Sequence, residues 1–437
     1  MYTVLTNITI QQISSEQFPN RNLQLVIPFL HSYEAESSWE ELTQTLKLTL
    51  PKNVKIKAID PSNPTNNKWV NLKNVNSAYS NLGGFLPGLT PVLLRGDLIT
   101  LNVGYRNNIN SREYTYMTGS DLSQSGGISI PPLFKGYIAS IEPKLPFTIK
   151  CEDNMWLLKQ IPTPIRQWGN LSVQDIITQV MATAASQAIL KRYAPYGVNL
   201  SVSTFSKTNL IFNVKNFITR RESLAALMSR IKHQYKMDSY FRGNELRIGL
   251  LHYVPSDAVN NTFTFQQNIV SDKLIWKRRD DVNLSMVVKS HYRELAEGTT
   301  KDGQEKTKAK CVEILIYNTG GANGVFTYES KTTDSDFPNA STINAIGEKH
   351  DFNVFSNITD PKQLFNMGVA QLKKYYYDGF RGSFTAFGVP YVKHGDIVTL
   401  VDNVLKERGG TYQVKKVIYF GGCDEGLRQE IHLDYKI

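Results

Sequence analysis

The chain has 437 residues, of which 41% are hydrophobic and 20% are charged, and its formal net charge is +10. This composition is typical of globular proteins and excludes disorder along the whole chain, and at roughly 150 residues per domain the length favours about three domains. The charge fits either a nucleic-acid or acidic-surface partner or an ordinary solvated surface, and the scattered placement of Lys and Arg favours the second.

Neither a targeting segment nor a membrane span is expected. Residues Met1 to Asn7 lack a basic n-region, and no apolar run reaches the roughly 18 residues that span a membrane. We therefore expect synthesis in the cytoplasm without membrane insertion. The three cysteines, Cys151, Cys311 and Cys423, form no CxxC pair and leave an odd thiol, which argues against a disulfide framework and a zinc cage.

Residues 1–160 are predicted to form a first domain built from strands. Thr43–Leu50 alternates polar and apolar residues as a half-buried strand does, and Pro51 ends it. The polar stretches 52–90 and 107–132 are predicted to be inserted loops.

Residues 161–256 are predicted to form a small α+β domain. Ser172–Asp175 has the pattern of a helix start, and Thr219–Glu222 is predicted to start a second helix. A hairpin is predicted to turn at Gly243 and Asn244.

Residues 257–437 are predicted to return to β-structure, with an inserted segment at about 294–365. Asn283–Lys289 is the clearest strand, whereas the charged run Glu294–Lys310 is predicted to be a mobile loop. Asp360 and Pro361 are the residue types expected at an N-cap and at the first position of a helix.

One sequence framework occurs twice, near residue 91 and near residue 390. Each copy has a proline, then a basic residue followed by Gly-Asp, then a strand ending in Thr-Leu. Two further predicted strands follow each copy, at 134–141 and 147–152 and at 411–418 and 429–434, so we expect one structural module used twice. The residues of the repeated turn are Pro91, Arg95, Gly96 and Asp97 in the first copy and Pro390, His394, Gly395 and Asp396 in the second.

The repeated turn is expected to have a structural role. Glycine supplies an unusual backbone angle and aspartate accepts nearby N–H groups, although Asp97 and Asp396 also have the chemistry of metal or acid/base groups. Arg95 and His394 occupy equivalent positions. They suggest either a shared contact with a subunit carboxylate or, as we favour, solvated turn residues.

No enzymatic motif stands out. The chain has no HExxH, P-loop or dinucleotide fingerprint, and the segment Gly320–Gly324 lacks the Lys-Ser/Thr ending that a phosphate cradle needs. Cys423 and His432 are imaginable as a thiolate and its base, but no orienting group accompanies them. Lys373–Tyr377 mixes cations with aromatic rings that could stack on single-stranded nucleic acid, and a packed helix end is favoured. We expect no catalytic residue, metal ligand or cofactor.

Two parts of the chain resemble a known family. Phe380–Leu400, preceded by a helix and followed by Gly410–Val417, resembles the C-terminal barrel of phage late control protein D. Phe134–Ile138 and Ile149–Asp153 resemble the end of that family's first barrel. The family is grouped with contractile-tail baseplate hub proteins and the N-terminal part of type VI valine-glycine-repeat proteins. The resemblance implies an α+β, β-rich fold with two related tube-like β-barrels, an intervening small α+β domain and inserted loops.

The resemblance also implies a function. A homotrimer with two equivalent barrels per chain presents six similar units, which suits a sixfold tail tube at one end and a trimeric spike at the other. Expected partners are the tail tube protein, the spike and other baseplate or tape-measure proteins, with transient passage of DNA or effector through the lumen. The expected location is a virion tail or injection-system baseplate, assembled in the bacterial cytoplasm. The alternatives are a tail-associated cell-wall hydrolase or peptidase, and a nucleic-acid-binding protein.

Overall fold

The computed structural model of the chain is rich in strands. It describes residues 2–51, 54–72, 91–107, 132–142, 146–169, 171–204, 213–214, 217–235, 237–249, 257–279, 284–299, 305–318, 326–333, 347–354 and 359–437. Antiparallel sheets dominate these residues, which confirms the prediction of a β-rich fold. No helix within these ranges is long and apolar enough to cross a membrane.

The N-terminal part of the chain is built from strands. They are β1 (Tyr2–Gln11), β2 (Gln24–Ile27), β3 (Ser32–Ser38), β4 (Thr45–Leu50), β5 (Val54–Asp60), β6 (Asn63–Leu72), β7 (Leu98–Asn107), β8 (Phe134–Glu142) and β9 (Phe147–Glu152). The predicted loop at 52–90 is wrong for β5 and β6, which form a hairpin because Val54, Ile56 and Ala58 alternate with polar residues and are buried. Residues 73–90 and 108–131 of the predicted loops lie outside the described residues.

A mixed group of helices and short strands follows. Its elements are α1 (Met155–Gln160), β10 (Arg166–Trp168), β11 (Leu171–Ser172), α2 (Val173–Met181), α3 (Ala184–Tyr193), β12 (Ser201–Thr204), β13 (Asn213–Val214), β14 (Phe217–Thr219), α4 (Leu224–Tyr235), β15 (Asp238–Arg242) and β16 (Glu245–Gly249). As predicted, Ser172 caps α2 by accepting a hydrogen bond from the backbone N–H of Asp175. The predicted helix start at Thr219 is wrong, because Thr219 pairs with Arg166 in a strand and α4 begins at Leu224.

The C-terminal part returns to strands. It contains β17 (Asn260–Thr264), β18 (Ile269–Lys277), β19 (Leu284–Thr299), β20 (Glu305–Asn318), β21 (Phe326–Thr333), β22 (Glu348–Val354), α5 (Pro361–Lys373), β23 (Gly379–Phe387), β24 (Ile397–Val401), β25 (Gly410–Gly422) and β26 (Gly426–Lys436). The predicted mobile loop Glu294–Lys310 is wrong for 294–299 and 305–310, because β19 and β20 continue to pair through these residues. Residues 300–304 lie outside the described part.

The inserted strands form a sheet of their own. Strands β19 to β22 make a four-stranded sheet in the order β21-β20-β19-β22. Helix α5 packs on this sheet, with Leu364 and Met367 buried against Val288 and Ile316. As predicted, Asp360 caps the helix through the backbone N–H of Lys362.

The strand pairings of the N-terminal part form a closed circuit. The order is β3-β4-β9-β8-β7-β1-β2, with antiparallel neighbours throughout. Residues 28–31 connect β2 directly to β3. Because β2 and β3 run in the same direction, they act as one bent strand. Its first part, β2, pairs with β1 at one end of this order, and its second part, β3, pairs with β4 at the other end.

The C-terminal pairings repeat this circuit with one strand fewer. The order is β18-β23-β26-β25-β24-β17, and residues 265–268 connect β17 to β18. Strands β17 and β18 again run in one direction as a bent strand. A ring of alternating directions with an odd number of strands must contain one parallel pair, and β17 with β24 is that pair.

A pairing between distant segments joins the two circuits into one sheet. Strand β3, at Ser32–Ser38, pairs antiparallel with β25 at Lys416–Gly422. Side chains from both circuits contribute to one hydrophobic core, for example Leu48 and Ile149 from the first and Phe384 and Ile431 from the second. The mixed group of helices has a separate core around Ile176, Leu227 and Leu246.

Candidate functional site at the two glycine-aspartate turns

The first turn lies where the chain enters β7. Gly96 has a φ of +89°, in the left-handed region that residues with a side chain rarely adopt. Its N–H donates to the carbonyl of Ile138 at 2.9 Å, and the N–H of Ile138 donates to the carbonyl of Asp97 at 2.9 Å. The Asp97 carboxylate accepts from the N–H of Leu94 at 2.8 Å, so the aspartate closes the turn on itself.

The second turn has the same backbone connections. Gly395 has a φ of +85°. Its N–H donates to the carbonyl of Val414 at 2.8 Å, and the N–H of Val414 donates to the carbonyl of Asp396 at 2.9 Å. The Asp396 carboxylate accepts from the N–H of Lys393 at 2.8 Å, three positions earlier, as Asp97 does from Leu94. The two turns are therefore matched bond for bond, and each aspartate has a local structural task.

Each aspartate also receives an arginine, but from unrelated parts of the chain. Arg21 donates to both carboxylate oxygens of Asp97, at 2.9 and 2.6 Å, and both side chains are 1% exposed. Arg242, from β15, approaches Asp396 at 3.4 Å and also lies 3.4 Å from Asp257. Burial raises the pKa of Asp97, and the hydrogen bonds from Arg21 oppose that shift. Sequence reasoning missed both arginines, because neither lies near its aspartate in the chain.

The basic position before each glycine differs between the two turns. Arg95 is exposed, as expected for a solvated turn residue. His394 is 1% exposed, so the expectation that it is a solvated turn residue is wrong. Its Nδ1 contacts Oγ of Ser37 on β3, and its ring meets Tyr240 edge-on at 4.7 Å. His394 therefore packs between the two circuits and the mixed group of helices and strands.

The environment of His394 disfavours its charged form. Burial, followed by the nearby charges of Arg242 and Lys393, holds the pKa of His394 well below its usual range. The imidazole is therefore neutral near pH 7, with Ser37 on one nitrogen. Among the described residues, the other nitrogen, Nε2, has no hydrogen-bond partner.

A cavity of about 250 Å³ lies beside His394, between the two circuits and β15. Its polar lining includes Ser37, Asp153, Arg242 and His394. Burial raises the pKa of Asp153 to about 7, and its Oδ2 atom has no hydrogen-bond partner within the described ranges. A neutral imidazole beside a serine supplies two parts of a hydrolytic triad. Among the described residues, no carboxylate bonds to Nε2 of His394, so the third part, the carboxylate that orients the histidine, is missing.

The other candidate residues do not assemble a site. Cys423 lies in the turn after β25, whereas His432 pairs with Lys416 further along the strands, so the two are not adjacent. No group of three His, Cys, Asp or Glu side chains suited to a metal ion occurs among the described residues. The segment Gly320–Gly324 lies outside the described residues.

The aromatic end of α5 is packed, as we favoured. Tyr375 stacks on His350 with ring centroids 4.4 Å apart, and Tyr376 accepts a hydrogen bond from Asn318 at 2.6 Å. Tyr377 is buried and donates to the carbonyl of Phe380 at 3.2 Å. Tyr376 and Tyr377 therefore serve the fold, whereas Tyr375 stacks on His350 and is 38% exposed.

Comparisons with known proteins identify the fold. No family model matches the sequence, and no curated protein matches it. The structure is similar to the 43 kDa tail protein of prophage MuSo2 from Shewanella oneidensis, with a TM-score of 0.50, 10% identity and 98% of each chain covered. A tail protein from Neisseria meningitidis MC58 gives a TM-score of 0.47 at 10% identity, with 99% of this chain and 96% of that chain covered.

A type VI secretion component is also similar. The Escherichia coli c3393 protein gives a TM-score of 0.43 at 6% identity, with 93% of this chain and 73% of that chain covered. The similarity to the MuSo2 tail protein shows that the chain shares the fold of that prophage tail protein over nearly its whole length.

Proposed function

We propose that this chain is a structural hub of a phage tail or a related injection system and performs no chemistry. A fold shared over 98% of both chains with a prophage tail protein supports the tail setting. The observation that carries the proposal is the bond-for-bond match of the turns at Gly96 and Gly395, since a hub that adapts symmetry needs two equivalent units per chain.

The two circuits act as two related tube-like barrels. Each is closed by a bent strand, β2–β3 or β17–β18, and a closed ring of paired strands leaves few exposed edges. In this proposal residues 1–160 form the first barrel, 161–256 the small α+β domain and 257–437 the second barrel with its inserted sheet. The pairing of β3 with β25 sets the two barrels side by side.

A homotrimer of such a chain has six barrels in a ring. Closed oligomers are symmetric, and three copies of a doubled chain imitate a sixfold object. One face of the ring binds the sixfold tail tube, and the other keeps threefold symmetry and binds a trimeric spike. Baseplate or tape-measure proteins bind its periphery, and DNA or effector crosses its lumen transiently. The hub assembles in the bacterial cytoplasm and ends in the virion tail or the injection-system baseplate.

The contact between Ser37 and His394 favours one rival function, a tail-associated hydrolase or peptidase. A general base works best with a pKa near the operating pH, whereas burial and two cations lower the pKa of His394. The Nε2 atom also has no orienting carboxylate within the described residues. The pair is better explained as a packing contact between the two barrels.

Native mass and a serine replacement distinguish the proposed hub function from the rival hydrolase function. Native mass spectrometry should find three copies of the 49.4 kDa chain, and electron micrographs of the particle should have six similar lobes. Purified protein should not release soluble fragments from bacterial cell wall. A monomer at every concentration, together with cell-wall hydrolysis that Ser37→Ala abolishes, would establish the rival.

A further inference from the structure

The pairing of β3 with β25 joins the two circuits, and each of these strands has an equivalent strand in the other circuit. The matched turns make Ile138 of β8 equivalent to Val414 of β25. Both strands then carry a register shift, between Ile138 and Ser140 and between Val414 and Lys416. Ser140 of β8 is therefore the counterpart of Lys416 of β25, which pairs with Ser38.

Strand β3 also has an equivalent in the other circuit, which is β18. Lys150 and His432 are equivalent, because they pair with Ser140 and Lys416. Lys150 pairs with Lys47 of β4, and His432 pairs with Ser383 of β23. Strand β3 pairs with the remaining side of β4, and β18 pairs with the same side of β23. Counting along these two pairings, Glu36 occupies the position in β3 that Ile275 occupies in β18, and Ser38 occupies the position of Lys277.

Both counterpart edges lack a strand partner within the described residues. Strand β18 is the end strand of its sheet path, and its residues are mostly exposed, with Ile275 62% exposed. Strand β8 pairs with β7 only from Phe134 to Tyr137, so no strand covers that edge at Ser140 and Ile141. Open edges of this kind are ready templates for pairing with another chain.

We propose that β18 of one copy pairs antiparallel with β8 of the next, in the register that places Lys277 opposite Ser140 and Trp276 opposite Ile141. This inference rests on the proposed hub function and names the surfaces that join its subunits. The same contact then occurs at all six junctions between barrels, within chains through β3 and β25 and between chains through β18 and β8. A head-to-tail contact of this kind closes into a ring of three when each copy is rotated by a third of a turn relative to the last.

Charge complementarity supports a second copy of this chain as the partner of these strand edges. Within the chain, Lys416 of β25 bonds to Glu36 of β3, diagonally across the junction. Between chains, the lysines would come from β18 and the glutamate from β8. Lys277 and Lys273 would lie on either side of Glu142, on the same face of the sheet. Opposite charges across neighbouring strands are favourable, and Ile275 would be covered between them.

Disulfide trapping tests the register. In a Cys423→Ser background, Lys277→Cys combined with Ser140→Cys should give covalent dimers and trimers under oxidising conditions that a reductant reverses. The matched control combines Ser271→Cys with Ser140→Cys, which the register places about 20 Å apart, so it should give no ladder. Each single cysteine variant should also remain uncrosslinked.

A second measurement uses charge. Lys277→Glu should raise the concentration at half-assembly by up to about 10-fold, because a ring trimer contains three such contacts. Adding Glu142→Lys should reverse part of the effect, since Glu142 also bonds to Lys150 within its own chain. A native trimer that forms no disulfide at positions 277 and 140 overturns the proposed interface and leaves the hub function standing. A chain that remains monomeric at all concentrations overturns both.

Discussion

Arg21 and Asp97 form a doubly hydrogen-bonded ion pair in the interior of the protein, 2.6 Å apart at the shorter bond and 1% exposed each. Arg21 also donates to the carbonyls of Pro91 and Ile13, at 3.0 Å each. One guanidinium thus holds the first glycine-aspartate turn against the segment that follows β1.

Replacing Arg21 should therefore be costly. Arg21→Met leaves a buried carboxylate without two of its donors, and breaking a buried pair in this way costs about 3–5 kcal/mol. Urea unfolding measures the loss. Arg242→Met is the matched control, and it should cost clearly less because its contacts with Asp396 and Asp257 are 3.4 Å long. Equal losses would contradict the special role of Arg21.

Gly96→Ala should destabilise the protein more than the same change at Gly197. Both positions have positive φ, which costs an L-residue about 1–2 kcal/mol. A Cβ at Gly96 would also lie 2.7 Å from the ring of Trp156, whereas at Gly197 it would meet nothing within 4 Å. Overpacking of this kind adds about 1–3 kcal/mol. Thermal unfolding compares the two variants, and a shift in tryptophan emission should occur only for Gly96→Ala.

His394 should make the protein less stable in acid. The unfolded state binds a proton near the ordinary histidine pKa of 6.5, whereas the folded state does not, because burial lowers the pKa of His394. Stability should therefore fall as the pH drops below about 6.5, by at most about 1.4 kcal/mol per pH unit. Urea unfolding of His394→Asn between pH 5 and 8 should lack this part of the slope, whereas the exposed control His233→Asn should keep it.

Asp153 should act in the opposite direction. Burial raises the pKa of Asp153 to about 7 from 3.8, so the folded state holds a proton that the unfolded state releases. Stability is lost as the pH rises from about 4 to 7. Asp153→Asn keeps the oxygen that accepts from the N–H of Met155 and should remove this loss, so its advantage over wild type should grow with pH. The exposed control Asp424→Asn should give no such trend, and an equal trend would count against the assignment.

The sequence predicted those features that depend on neighbouring residues. A glycine followed by aspartate at each turn, Ser172 before α2 and Asp360 before α5 are local signals, and the structure has the expected geometry at each. Strand β4 and the hairpin at Gly243 were predicted for the same reason, since alternation and turn chemistry act over a few residues.

The features that depend on distant residues were not predicted. Arg21, Arg242 and Ser37 reach the turns from elsewhere in the chain, so no spacing in the sequence marks them. The burial of His394 likewise depends on Ser37 and Tyr240, which belong to other elements. The charged run after Glu294 was predicted as a loop from composition, but backbone pairing across a long hairpin overrides composition.

The pairing of β3 with β25 also has a consequence for how the protein is made. A ribosome releases Ser32–Ser38 long before it has synthesised Lys416–Gly422, so the early strand waits with an uncovered edge until β25 has been made. Contacts of such long sequence separation slow folding, and waiting edges favour aggregation. Nonsense or frameshift changes upstream of the codon for Lys416 should therefore yield insoluble product and not a shortened, working subunit.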